Sequence, residues 1–315
     1  MNIPFVKMHG LGNDYLFIDG RRSPSFDPVL AAPRACDRHR GVGGDGIVIH
    51  GPPVDPRHHA RMRVVNADGS EGGVCGNGLR CLALLLVTDE GVDREDVRIE
   101  TPDGVVRLRM TSPQGGVPNE VEADMGPPRF EAARIPAVVP GLDPGACLLD
   151  RSLVELESVG FAGIGLPAET RLSLVSMGNP HLVLALPPGG TRADLDREIR
   201  RIGPGLEGHS WFPRRINVHL ATSIAPDRMQ MSTWERGSGP TRACGTGACA
   251  AAVAMRRSAA GLDAPDRQEV DLPGGRLSID WDGGDQSSVR QRGPAVEVFR
   301  GRLESGIDSE EDASR

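Results

Sequence analysis

Alternating apolar and polar positions dominate this chain, and they predict strands far more often than helices. In the first half the strand-like runs are residues 5–8, 15–19, 47–50, 61–65, 97–100, 105–110 and 120–125. In the second half they are 171–176, 181–186, 216–221, 228–233, 269–272, 276–280, 289–291 and 295–302. Helical spacing is confined to about 29–37, 78–88, 192–203 and 248–258. Two of these helices are apolar nearly all round, through Leu82, Ala83, Leu84, Leu85, Leu86 and Val87 in one and Ala248 to Ala254 in the other. Such a helix has to be covered on most sides. The pattern therefore predicts an α+β fold of two pseudo-symmetric halves, each a mostly antiparallel sheet or barrel wrapped around a central helix, with the active site in the cleft between them.

The halves echo one another in sequence as well as in pattern. Leu11-Gly12-Asn13-Asp14-Tyr15 resembles Met177-Gly178-Asn179-Pro180-His181, Cys75-Gly76-Asn77-Gly78 resembles Cys244-Gly245-Thr246-Gly247, and Thr101-Pro102-Asp103-Gly104 resembles Leu272-Pro273-Gly274-Gly275. The three landmarks keep nearly one offset, which is the signature of an internal repeat. With a boundary in the Pro/Gly-rich stretch 127–144, the expected division is residues 1–140 with Cys75, residues 141–302 with Cys244, and an acidic tail, 303–315, too poor in apolar residues to order.

Each Cys-Gly-x-Gly opens a predicted core helix, so each thiol is expected at a helix N-terminus. There, unpaired amides and a partial positive charge bind carboxylates and lower a cysteine's pKa. If the halves pack about a pseudo-twofold axis, the two thiols come to opposite walls of the cleft. One thiolate and one thiol on opposite faces of a carbon can remove a proton and return one, which inverts the centre. The amides around Gly76, Asn77, Gly245 and Thr246 would hold the substrate's α-carboxylate while charge develops on it.

Composition narrows the alternatives. A net charge of −7 without a basic run argues against a nucleic-acid partner. No apolar leader or membrane-length stretch is present in the sequence, so the expected compartment is the cytoplasm, and the six cysteines are expected to stay reduced. Their spacing matches no structural zinc site, and no metal is expected. The single lysine, Lys7, lies in the first predicted strand outside any phosphate-binding context. α-Proton chemistry through pyridoxal phosphate requires a Schiff-base lysine, so a mechanism with no cofactor is favoured.

The ordered motifs resemble the diaminopimelate epimerase family over residues 3–302. They are Lys7-Met8-His9-Gly10-Leu11-Gly12-Asn13-Asp14, Asn66-Ala67-Asp68-Gly69-Ser70, Cys75-Gly76-Asn77-Gly78-Leu79-Arg80-Cys81, Gly178-Asn179-Pro180-His181, and Glu235-Arg236-Gly237 leading to Ala243-Cys244-Gly245-Thr246-Gly247. The resemblance implies a cofactor-independent isomerase that interconverts LL- and meso-diaminopimelate for lysine and peptidoglycan precursors, with that small molecule as its partner; it allows a homodimer. It further implies Cys75 and Cys244 as the acid/base pair and His181 and Glu235 as supports of their proton transfers. Asn13, Asn66, Asn179, Asn217, Glu235 and Arg236 are the implied substrate-holding side chains, with Gly76, Asn77, Gly245 and Thr246 as backbone clamps. Cys81 and Cys249 are assigned to packing, and Cys36 and Cys147 to structure. Two positions depart from the family pattern: Gly46, where some members place a glutamine on the substrate, and Val74, where methionine is frequent. The rival readings are a sister racemase or epimerase acting on proline, hydroxyproline or a basic amino acid, and a thiol redox protein. The latter is disfavoured by the lack of a C-x-x-C pair.

Overall fold

The alternating run at the N-terminus forms the strand Ile3–Gly10, which turns directly into an antiparallel partner, Asn13–Asp19. The computed structural model describes residues 2–73, 75–111, 119–158, 160–161, 163–258, 265–304 and 307. The chain divides into two units, Met1–Asp124 with Arg292–Arg315, and Met125–Gln291.

In the first unit, antiparallel and parallel pairings alternate in a fixed order. Asn13–Asp19 pairs in parallel with Gly46–Gly51, which pairs antiparallel with Ala60–Asn66. Ala60–Asn66 pairs in parallel with Val97–Thr101, which continues antiparallel through Gly104–Thr111 and Glu120–Asp124. Parallel neighbours require a crossover, and each crossover here carries a helix. The first holds α1 (Pro28–Ala35) and the second α2 (Gly76–Glu90). Asp27 caps α1 through its carboxylate, and α2 ends at Gly91, whose φ of 69° is open to glycine at little cost. All residues of α2 from Gly76 to Leu86 are buried, as the all-round apolar sequence requires.

The second unit repeats this order. Arg171–Ser176 pairs antiparallel with Pro180–Leu186, which runs parallel to Asn217–Ala225. Asn217–Ala225 then pairs antiparallel with Arg228–Glu235, which runs parallel to Arg267–Leu272, itself antiparallel to Gly275–Asp280. A short helix, α3 (Leu153–Glu157), precedes the sheet. The two crossovers hold α4 (Arg192–Glu207) and α5 (Gly245–Arg257). The repeat seen in sequence is thus a repeat of strand pairing, and α5, buried from Gly245 to Ala254, is the counterpart of α2.

Three expectations need correction. The expected boundary at 140/141 falls at 124/125, and the last strand does not belong to the second unit. Val296–Leu303 pairs antiparallel with Ile3–Gly10, where Leu303 and Ile3 face each other in one apolar core. Leu303, assigned to the acidic tail, is therefore a buried strand residue, and the Ile307 carbonyl accepts from Arg34; residues 305, 306 and 308–315 of that tail lie outside the described residues, as does Val74. The helix expected to stop at 203 continues through Pro204 to Glu207. Ile202 and Leu206 are buried in the second core, and Gly203 lies so close to Trp234 that a Cβ would meet its ring at 2.6 Å. Burial of that face outweighs the hydrogen bond lost at proline. Among the described residues no helix is long and apolar enough to cross a membrane.

Candidate active site

The same local construction presents a thiol in each unit. Cys75 is the N-cap of α2 with φ −112° and ψ 108°, and Cys244 is the N-cap of α5 with φ −109° and ψ 108°. Each sulfur accepts from the third amide of its helix, Gly78 N at 3.4 Å and Gly247 N at 3.3 Å. The amides of the first two helical residues, Gly76 and Asn77 or Gly245 and Thr246, have no acceptor within the helix by geometry. Amides at such a position, beside each sulfur, are of the kind that binds anions.

Around Cys75 two of the sequence-predicted residues, Asn13 and Asn77, gather closely. The sulfur is 3.6 Å from Asn13 Oδ1, and Asn77 Nδ2 donates to that same oxygen at 3.0 Å. Asn13 Nδ2 donates to Asp45 Oδ2 at 2.6 Å, which fixes the orientation of its amide. Asp45 is itself held by Arg38, which also grips Asp14. Lys7 is buried against Asp14 at 2.7 Å and donates to the Gly43 carbonyl. The lone lysine therefore belongs to the framework behind Asn13. Asn66 stands at the end of its strand, half-buried, and donates to Ser70 Oγ at 3.0 Å.

Around Cys244 the layout is equivalent but the chemistry differs. Thr246 occupies the place of Asn77, its Oγ1 3.7 Å from the sulfur and accepting from Asn179 Nδ2 at 3.2 Å. Asn179 Oδ1 meets His181 Nε2 at 2.8 Å. The Cys244 thiol also hydrogen-bonds the Glu235 carboxylate, which accepts from Thr241 Oγ1 at 2.5 Å. Both ends of the Asn217 amide are already engaged, Nδ2 with the Pro180 carbonyl at 3.0 Å and Oδ1 with the Arg236 amide at 2.9 Å. Asn217 thereby ties the strand carrying His181 to the turn carrying Arg236. The Arg236 side chain donates to the Arg214 carbonyl at 3.3 Å.

The expectation of a lowered thiol pKa fails at Cys244. Burial drives its pKa well above the ordinary value and the Glu235 carboxylate adds to the rise, while the Thr246 hydroxyl and the Gly247 amide oppose them without prevailing. Only 3% of Cys244 is exposed, so desolvation of a thiolate outweighs one helix N-terminus. The resting group is the neutral thiol. Cys81 and Cys249 are buried one turn inside their helices, consistent with packing, and Cys36 is buried at the end of α1. Cys147, grouped with Cys36 as structural, is instead exposed.

Three neighbours of the site escaped the sequence reading. Tyr15 places its hydroxyl 3.5 Å from Cys75 Sγ, Asp45 fixes Asn13, and His219 contacts His181. The repeat pointed to Tyr15, because it follows Asn13 by two residues as His181 follows Asn179. Strand alternation pointed to His219, two residues beyond Asn217 and so on the same face. The ligand atoms of His181, His219 and Cys244 lie within 4.8 Å of one another. All four ring nitrogens of the two histidines are engaged in hydrogen bonds, so a cation would have to break these to bind. The departure at Gly46 also has a structural basis. It is the counterpart of Asn217, since Tyr15 pairs with Gly46 as His181 pairs with Asn217, and a Cβ there would lie 2.3 Å from the Val65 carbonyl oxygen. This backbone leaves no room for a side chain.

A sequence profile for the family described as Diaminopimelate epimerase matches residues 5–131 and 173–298. The protein named diaminopimelate epimerase in Azotobacter vinelandii is 41% identical over 303 residues, spanning 96% of this chain and 99% of that one. The chain belongs to the diaminopimelate epimerase family. A diaminopimelate epimerase of Heliobacterium modesticaldum is 38% identical over 304 residues, covering 95% of this chain and 99% of its own. In fold alone, the chain is similar to a hydroxyproline epimerase from Agrobacterium vitis, with a TM-score of 0.66 at 16% identity and coverage of 96% of this chain and 92% of that one.

Proposed function

We propose that this protein interconverts LL- and meso-diaminopimelate by two-base proton transfer between Cys75 and Cys244. The observation that carries the reading is the duplication of one device: a cysteine capping a buried helix, with an asparagine two hydrogen bonds or fewer from its sulfur, in a member of this family. In one direction the Cys75 thiolate takes the α-proton, and the electrons of the broken C–H bond delocalise into the substrate carboxylate. The Cys244 thiol then delivers its proton to the opposite face, leaving its own thiolate. The neutral resting state of Cys244 suits this direction. In the reverse direction Cys244 has to give up its proton first, and the Glu235 carboxylate hydrogen-bonded to it is the acceptor at hand.

The α-carboxylate is held by the first-turn amides of Gly76, Asn77, Gly245 and Thr246, where negative charge grows in the transition state. Asn13, Asn66 and Asn179 supply neutral polar contacts, and Glu235 and Arg236 engage the ammonium and carboxylate ends. Asn217 orients the Arg236 backbone for this task. No residue in this scheme calls on a cofactor. A chemistry that needs two reduced thiols fits a reducing, cytoplasmic setting.

The test is incubation with LL-diaminopimelate in D2O without pyridoxal phosphate, following α-deuterium and meso product. Deuterated meso product is expected. Exchange with proline or a basic amino acid in place of diaminopimelate would overturn the substrate assignment while keeping the chemistry.

A further inference from the structure

His219 takes no part in the proton transfers above, yet it is fully buried and sits behind Cys244. Its Nε2 lies 2.8 Å from His181 Nδ1, and its Nδ1 lies 3.0 Å from Thr233 Oγ1. On the far side of His181, Nε2 meets Asn179 Oδ1 at 2.8 Å, and the Asn179 Nδ2 donates to Thr246 Oγ1 beside the sulfur. The equivalent place in the first unit holds Val48, since Phe17 pairs with Val48 as Val183 pairs with His219. A polar ring at this position is a special feature of the second unit.

The donors in this line follow from the chemistry of its ends. An amide oxygen only accepts, so His181 Nε2 carries the hydrogen. Burial pushes the pKa of both rings down, that of His219 to about 3, so each is neutral and carries one hydrogen. His181 Nδ1 is then bare and accepts from His219 Nε2–H. His219 Nδ1 is bare in turn and accepts the Thr233 hydroxyl. The charged and titratable groups facing the pair are Arg236, near His181, and Cys244 with its partner Glu235.

A second contact ties His219 to the same thiol. Gly247, whose amide donates to Cys244 Sγ, packs so closely that a Cβ would lie 2.2 Å from His219 Cε1. We propose that His219 is a positioning residue that locks His181 in its Nε2–H tautomer, so that His181 holds the Asn179 amide turned with its nitrogen toward Thr246 and Cys244. His181 then works as a fixed donor, and it cannot serve as a proton acceptor while His219 is in place. This inference rests on the proposal that Cys244 acts on the substrate.

Imidazole 15N NMR on the intact protein tests the tautomers independently of activity. Expected are Nε2–H forms of both His181 and His219 with no titration between pH 5 and 9. The reverse tautomers, as an Asn179 amide turned over would give, would overturn the proposal. Two variants then test the positioning role. In His219→Leu the His181 ring should begin to titrate, kcat should fall roughly tenfold with an acid limb moved to higher pH, and KM should change little. His219→Gln, whose amide nitrogen can replace the donor, should restore most of kcat and the parent pH profile. Equal losses in both variants with an unshifted pH profile would mean that His219 only fills space. If the parent protein shows no exchange with diaminopimelate, the functional reading fails, and the NMR spectra alone decide the tautomer lock.

Discussion

The Nη2 of Arg80 stands 2.6 Å from Oδ1 of Asn77, joining two buried side chains one turn apart at the start of α2. The same guanidinium reaches the carbonyls of Gly76 and Pro294, each at 3.4 Å. Asn77 passes this constraint on to Asn13, and Asn13 to the sulfur of Cys75. Arg80→Met removes the donor from several buried acceptors at once. It should cost about 3 kcal/mol of stability and raise KM, read by urea unfolding and steady-state kinetics. An unchanged KM would show that Asn13 is held well enough by Asp45 alone.

Removing either thiol should separate the two directions of the reaction. Cys75→Ala leaves only Cys244 to exchange a proton, and Cys244→Ala leaves only Cys75. In D2O each variant should wash deuterium into one stereoisomer far faster than into the other, with opposite preferences. Equal losses from both isomers in both variants would show that the thiols do not serve separate faces.

Neither glycine of Cys-Gly-x-Gly in the second unit has a positive φ, and at Gly247 it is space that requires glycine. A Cβ on Gly245 would lie 2.8 Å from Gln291 Nε2, and one on Gly247 would collide with His219. Gly247→Ala should therefore cost about 2 kcal/mol or more and lower kcat, because the ring and the helix start have to part. A folded, fully active Gly247→Ala enzyme, checked by thermal unfolding and turnover, would contradict this packing.

Stability should fall on both sides of neutrality for identifiable reasons. His181 and His219 have folded pKa values below the ordinary 6.5, so below that pH the unfolded chain binds protons that the folded chain refuses. Each should remove roughly 1 kcal/mol per pH unit between pH 6.5 and the folded value, about 3 for His219. Cys244 acts in the opposite sense: its folded pKa is raised, so stability is kept below the unfolded thiol pKa and lost as pH rises above it. Urea midpoints across pH should show His219→Leu with a shallower acid limb than the parent. Parallel limbs would mean that His219 is charged in the folded protein.

Much of this was legible in the chain itself. The strand Arg171–Ser176 was bounded to the residue by its alternation, and the near-constant offset between Asn13, Cys75 and Pro102 and their partners announced a repeat that reappears as an order of strand pairing. Both thiols were placed at helix starts by their glycines, and both are N-caps. What the sequence hid depends on distance. Whether Cys244 is a thiolate turns on how far the sulfur itself is withdrawn from water, and the apolar run that predicted a covered helix does not extend to the residue capping it. Asp45 is 32 residues from the amide it fixes and no spacing rule reaches it, while alternation puts His219 on the face of Asn217 without saying that it touches a ring 38 residues away. The domain boundary was misplaced because a Pro/Gly-rich stretch looks like a linker even where the chain runs on into the second unit.

The return of Val296–Leu303 to the first strand has a consequence for how the protein is made. The ribosome releases Ile3–Gly10 early but its outer partner almost last, after the whole of Met125–Gln291 has been synthesised. At ordinary translation speeds the first unit waits on the order of ten seconds for its closing strand. Throughout that interval a strand carrying Ile3 and Phe5 has one unpaired edge, which invites pairing with another nascent chain. The second unit needs no such late addition, so it is able to mature first although its sequence comes second.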